Sequence, residues 1–177
     1  MTISILNRLV IVAAVFTAVP AIGAPRNNQA EVCALGARIL AEQARGGVKI
    51  FDGEGVGPAK LIQDAARRSQ PPPAKAELKL LEPAPENLFV RCPKLMKRLP
   101  EGARMATPED MAAVKTSLRG SLLIGLIHAP RITPDGRTAL AFASVRCPGL
   151  CGNGGLTAYR RVGGRWVADR VFFRFMS

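Results

Sequence analysis

Between Asn28 and Arg45 the apolar residues Val32, Leu35, Ile39 and Leu40 recur at helical spacing with alanines between them, and Gly46-Gly47 ends the pattern. The spacing predicts a helix. Val48 to Phe51 is β-prone and runs into Asp52-Gly53-Glu54-Gly55, which reads as a turn. A short helix is expected over Ala59 to Arg68. Ser69-Gln70-Pro71-Pro72-Pro73 then excludes both helix and central strand, so a Pro-rich loop is expected at 69–76. It should not divide two domains, because neither side alone has enough apolar surface to fold well. Leu78 to Leu81 and Leu88 to Val90 are short apolar runs on either side of Glu82-Pro83-Ala84-Pro85, and short strands or extended segments are expected there.

Thr107-Pro108-Glu109-Asp110 has the chemistry of a helix start. The threonine can cap free backbone amides, the proline suits the first helical position, and the acids meet the positive end of the dipole. That helix should run to about Leu118, with Gly120 just beyond it. The last third is β-patterned. Ser121 to Ile127 is apolar, Pro134-Asp135-Gly136 is a turn, and Arg137 to Cys147 alternates Ala139, Ala141, Ala143 and Val145 against Leu140 and Phe142. Both faces of that strand are apolar, which places it mid-sheet with something packed on each side. Leu156 to Val162, Gly163-Gly164 and Arg165 to Phe175 complete an antiparallel meander.

The pattern predicts an α+β domain. Its antiparallel sheet of about four strands is expected to pack with the amino-terminal helix and the second helix near 107–118. A length of 177 residues suits one domain. With one Trp and one Tyr, a large aromatic cofactor pocket is not expected, and no cofactor is assigned.

Residues Met1 to Ala24 add a compartment. They hold one basic residue, Arg8, then an apolar run from Leu9 to Val19, a break at Pro20, and small residues at Ala21, Gly23 and Ala24. That order is a secretion signal. The run falls short of the roughly 20 residues that span a bilayer. Pro25 disfavours cutting directly before it, so cleavage is expected between Gly23 and Ala24. Residues 1–23 are then a signal peptide and 24–177 the mature domain, periplasmic or secreted, with no integral membrane span after cleavage. Losing Arg8 and no acid lowers the formal charge from +12 to +11. Such a charge favours anionic partners, an envelope component or an acidic polysaccharide among them, and does not bear on fold or oligomeric state.

Cys33, Cys92, Cys147 and Cys151 are an even set, which in an exported protein suggests two disulfides. Zinc is the alternative. The Cys-x3-Cys has no matching second pair, and no metal site is assigned. Of the three possible pairings, Cys147 with Cys151 and Cys33 with Cys92 is expected. Cys147 and Cys151 flank a chain reversal where their Cα atoms can approach disulfide distance. The glycine-rich run that continues to Gly155 resembles a phosphate loop in composition, but it leads from strand to strand and reads as a hairpin connection. His128 is the only histidine, and no nucleophile elbow accompanies it, so it is read as a structural or surface residue. No catalytic residue is assigned.

The closing hairpin carries a candidate site. A two-residue turn at Gly163-Gly164 sets Trp166 opposite Arg161, Ala168 opposite Tyr159, and Arg170 opposite Thr157. Tyr159, Arg161, Trp166, Arg170 and Arg174 would then share one ligand-binding face, with Phe172 in the same row. Interleaved arginines and aromatics can stack sugars or bases and neutralise anions. The competing expectation is that a helix covers Trp166 and Phe172 while the arginines reach out to solvent.

Residues Arg131 to Ser177 also resemble the carboxyl-terminal part of small, uncharacterised exported bacterial proteins. The likeness rests on Pro134-Asp135-Gly136-Arg137-Thr138-Ala139-Leu140, the Cys147 to Gly155 loop, and Gly163-Gly164-Arg165-Trp166. It covers about a quarter of the chain. Where such chains often place a Trp near the end, this one has Phe175-Met176. The resemblance implies the sheet and the compartment, and supplies no catalytic residue. The leading expectation is a non-catalytic exported protein that binds a macromolecular or anionic ligand. The alternative is an enzyme, a hydrolase, with a pocket between helix and sheet.

Overall fold

The computed structural model describes residues 28–117, 120–149 and 151–176; the expected signal peptide lies outside them. Helix α1 (Asn28–Arg45) has the bounds that the periodicity predicts. It buries Val32, Leu35, Ile39 and Leu40, and each of the larger side chains contributes roughly 2 kcal/mol by leaving water. Gly36 sits inside this helix for a packing reason. A Cβ there would lie 2.2 Å from Leu88 Cδ1, so the glycine lets the segment around Leu88 press against the helix.

The remaining helices are α2 (Ala59–Arg68), α3 (Lys75–Leu81), α4 (Leu88–Arg91), a 3₁₀ turn at Pro93–Lys97, and α5 (Pro108–Thr116). The short runs at 78–81 and 88–90 are therefore helical, against the expectation of strands or extended segments. Side-chain capping decides the matter. The Glu77 carboxylate accepts the Ala74 N–H at 2.7 Å, and Asn87 Oδ1 accepts the Phe89 N–H at 2.8 Å. Each satisfies an amide that would otherwise be free at a helix start.

The strands are β1 (Ile50–Phe51), β2 (Arg104–Met105), β3 (Ile124–Ile127), β4 (Arg131–Ile132), β5 (Thr138–Arg146), β6 (Asn153–Val162) and β7 (Arg165–Met176). They form one seven-stranded sheet in the order β2-β1-β3-β5-β6-β7, with β4 also pairing β5. This corrects the four-stranded antiparallel expectation. β1 runs parallel to both β2 and β3, so the sheet is mixed. The predicted meander is its antiparallel half, β5 to β7. Gly163 and Gly164 close the last hairpin with φ of 56° and 81°, both in the left-handed region that such two-residue turns require.

Both faces of β5 are packed, as its two-sided apolar pattern predicts. On one side Ala139 and Ala141 join a core with α1, Leu88, Phe89, Tyr159 and Trp166. On the other, Leu140 and Phe142 join Ile62 and Ala66 of α2, with Leu80 and Leu81 of α3 against them. The second covering layer is thus α2 and α3. α5, expected to lie on the sheet, buries no residue. It is held instead at its start, where Thr107 caps the Asp110 N–H and Arg104 Nη2 donates to Asp110 Oδ1 at 2.8 Å. That guanidinium, with the Thr107 N–H, holds the Asp110 carboxyl well below the usual range.

The disulfides join Cys33 to Cys92 and Cys147 to Cys151, with Cα separations of 5.6 and 5.7 Å. The first ties α1 to the junction between α4 and the 3₁₀ turn.

Candidate functional site

β7 departs from a regular register twice, and the candidate face breaks at both places. Arg161 lies opposite Trp166 and Tyr159 opposite Ala168, as a regular hairpin requires. Ala158 then faces Arg170, leaving Asp169 as an extra residue, and Leu156 faces Phe173 after Thr157 faces Val171, leaving Phe172 extra. Each bulge turns the following side chains to the other face. The five candidate residues therefore occupy three places.

Arg161 and Trp166 lie against α1. Glu31 accepts from Arg161 at 2.8 Å and from Trp166 Nε1 at 3.3 Å. Arg38 donates to the Trp166 carbonyl and pairs with Glu42 at 2.8 Å. Two of the cleft's three cations meet carboxylates in this way, and the third, Arg165, is exposed at its rim with no ion pair among the described residues. Trp166 is buried, which matches the competing expectation of a covering helix.

Arg170 is on the opposite face. It pairs with the buried Glu77 of α3 and stands 4.6 Å over the Phe172 ring. Its charge is committed there, and removing it would leave a buried carboxylate without its cation.

Tyr159 and Arg174 remain together. The second bulge returns Arg174 to the α1 side, where both line an open groove of about 570 Å³ with Ile39, Ala141, Ala143, Asn153, Thr157 and Val171 among its walls. That volume is in the range of small-ligand sites. The groove exists because the strands carry small residues there. At Gly155 any Cβ would stand 2.5 Å from the Phe173 carbonyl oxygen, so no side chain fills the floor. Burial pushes the Tyr159 phenol up to about 12, with nearby Glu42 adding to the effect. The hydroxyl stays protonated and available as a donor at neutral pH. Arg174 is exposed and forms no ion pair among the described residues. The sequence pointed to Tyr159 and Arg174 but missed Asn153 and Thr157. Their signal is the strip of alanine and glycine in β5 and β6.

A second polar cluster organises the glycine-rich loop after β1. Asp52 Oδ1 accepts the Glu54 and Gly55 amides at 3.0 and 2.7 Å. Asn87 Nδ2 donates to the Asp52 and Gly55 carbonyls at 3.0 and 2.8 Å. His128 Nε2 accepts the Gly57 N–H at 2.7 Å, which puts the imidazole proton on Nδ1. All three side chains are buried. The Glu54, Gly55 and Gly57 amides are thus spent on protein acceptors, with His128 acting as a clamp on the last of them.

Comparison with protein families, with curated proteins and with solved structures finds no match for the chain.

Proposed function

We propose that the chain is an exported, non-catalytic binding protein whose groove between α1 and β7 holds an anionic ligand, an envelope component or acidic saccharide. The observation that carries this is that Tyr159 and Arg174, the latter with no ion pair among the described residues, line one open groove. The guanidinium can take a carboxylate or sulfate bidentately, and Tyr159, Thr157 and Asn153 can address hydroxyls. Export is supported by the two disulfides and by the signal pattern at the amino terminus. The described lining residues include no carboxylate, histidine or cysteine, so the groove offers no side chain suited to take a proton near neutral pH. That favours binding over hydrolysis.

Titration with an acidic oligosaccharide such as oligogalacturonate tests the proposal. Arg174→Ala is expected to weaken binding about tenfold, the worth of one charged hydrogen bond, and Tyr159→Phe by a few fold. Rising salt should weaken the wild type. Lys49→Ala with Lys60→Ala should change little; a loss equal to that of Arg174→Ala would mean that bulk charge alone is responsible.

A further inference from the structure

A different surface carries a second ligand chemistry. From Asn87 to Pro100 the chain contains no acid and four cations, Arg91, Lys94, Lys97 and Arg98. The fold sorts this segment into an inner and an outer side. Leu88, Phe89 and Cys92 are buried, and Leu95 and Leu99 pack against the same core. All four cations are exposed, and the same segment carries two exposed apolar side chains, Val90 at 60% and Met96 at 43% exposure. Lys94, Lys97 and Arg98 enter no ion pair among the described residues, and Arg91 has only a 3.9 Å contact with Glu86, both partners well exposed. Such a contact is worth little.

The segment is held in place. Cys92 ends α4, begins the 3₁₀ turn, and is tied to Cys33 of α1. The outer side is therefore presented on a fixed base.

We infer that this surface docks on an anionic phospholipid bilayer. Cations alone would suit any polyanion, but Val90 and Met96 gain nothing from a hydrated polysaccharide. At a lipid interface they can enter the headgroup boundary while the surrounding lysines and arginines meet lipid phosphates. The exposed side of α2 is the rival basic surface, with Lys60, Arg67, Arg68 and the exposed Leu61. It carries Asp64 among its cations, and the 90–98 segment carries no such acid.

Co-sedimentation of the mature chain, residues 24–177, with vesicles tests the inference. Vesicles of phosphatidylcholine mixed with phosphatidylglycerol should bind it, and pure phosphatidylcholine should not. The triple variant Lys94→Gln, Lys97→Gln, Arg98→Gln should lose on the order of a hundredfold in partitioning, at about fivefold per surface cation. The matched α2 variant Lys60→Gln, Arg67→Gln, Arg68→Gln should lose a few fold at most. Val90→Ser with Met96→Ser keeps every charge. It should weaken vesicle binding about tenfold and leave binding to soluble dextran sulfate unchanged. Equal losses from the two triple variants, no loss from the serine pair, or no binding to the anionic vesicles would overturn the inference. Arg174→Ala, which tests the groove, should leave vesicle binding within twofold, so the two proposals can fail separately.

Discussion

Replacing Cys33 with Ser is expected to destabilise the protein by about 4 kcal/mol, whereas Cys151→Ser should cost about 2 kcal/mol. The difference follows from loop length. Cys33 and Cys92 are 59 residues apart in sequence and Cys147 and Cys151 only 4, and a cross-link restricts the unfolded chain more when it closes a longer loop. The folded state points the same way. Cys92 is buried between α1 and the α4 segment and belongs to the larger core, while Cys151 is exposed at a strand connection. For a domain of this size 4 kcal/mol corresponds to a fall in Tm of roughly 8 to 16 °C, and 2 kcal/mol to about half that. Thermal melts under non-reducing conditions decide between the two. If Cys151→Ser lowers Tm as much as Cys33→Ser, loop closure is not what the long disulfide contributes.

The same region shows where sequence reasoning stops. α1 was legible because eighteen residues repeat one apolar face and a glycine pair ends it. The start of α5 was legible from Thr107 and Pro108, though its failure to pack on the sheet was not, because a cap fixes where a helix begins and says nothing of what covers it. Leu78 to Leu81 and Leu88 to Val90 were misread because three or four apolar residues fit a strand and a buried helical turn equally. Capping by Glu77 and Asn87 made the choice. β1, β2 and β4 have two residues each, too few to show alternation, so the parallel edge of the sheet was not predictable.

The candidate site was half legible for a related reason. Turn chemistry at Gly163-Gly164 sets the register correctly as far as Tyr159 and Ala168. Beyond that, the extra residues Asp169 and Phe172 reverse the faces, and a bulge has no residue signature as firm as a glycine turn. One trace exists in the adjacent pair Phe172-Phe173, which breaks strict alternation where the second bulge lies. Phe172 is buried with α2 while Arg174 returns to the groove.

Between pH 6.5 and 4 the protein should lose about 3 kcal/mol of stability through His128 alone. Burial, helped by the positive charge of Arg131, lowers this imidazole from its ordinary 6.5 to about 4. As pH falls through that window the unfolded chain takes up the proton first. Stability contributed by the neutral ring is complete above pH 6.5 and is lost as pH drops to about 4. The structural cause is specific. Nε2 accepts the Gly57 N–H at 2.7 Å, and protonation would turn it into a second donor facing that amide. His128 is the only histidine in the chain, so little else titrates in the upper part of the window. Urea unfolding from pH 7 to pH 4.5 should show a steady decline, and His128→Gln, which keeps an acceptor but cannot titrate, should flatten it at some cost in stability at pH 7. The single histidine C2 proton resonance gives the midpoint directly by NMR. A midpoint near 6.5 would mean that water reaches the ring freely, and the clamp on the loop after β1 would have to be assigned to Asp52 and Asn87 alone.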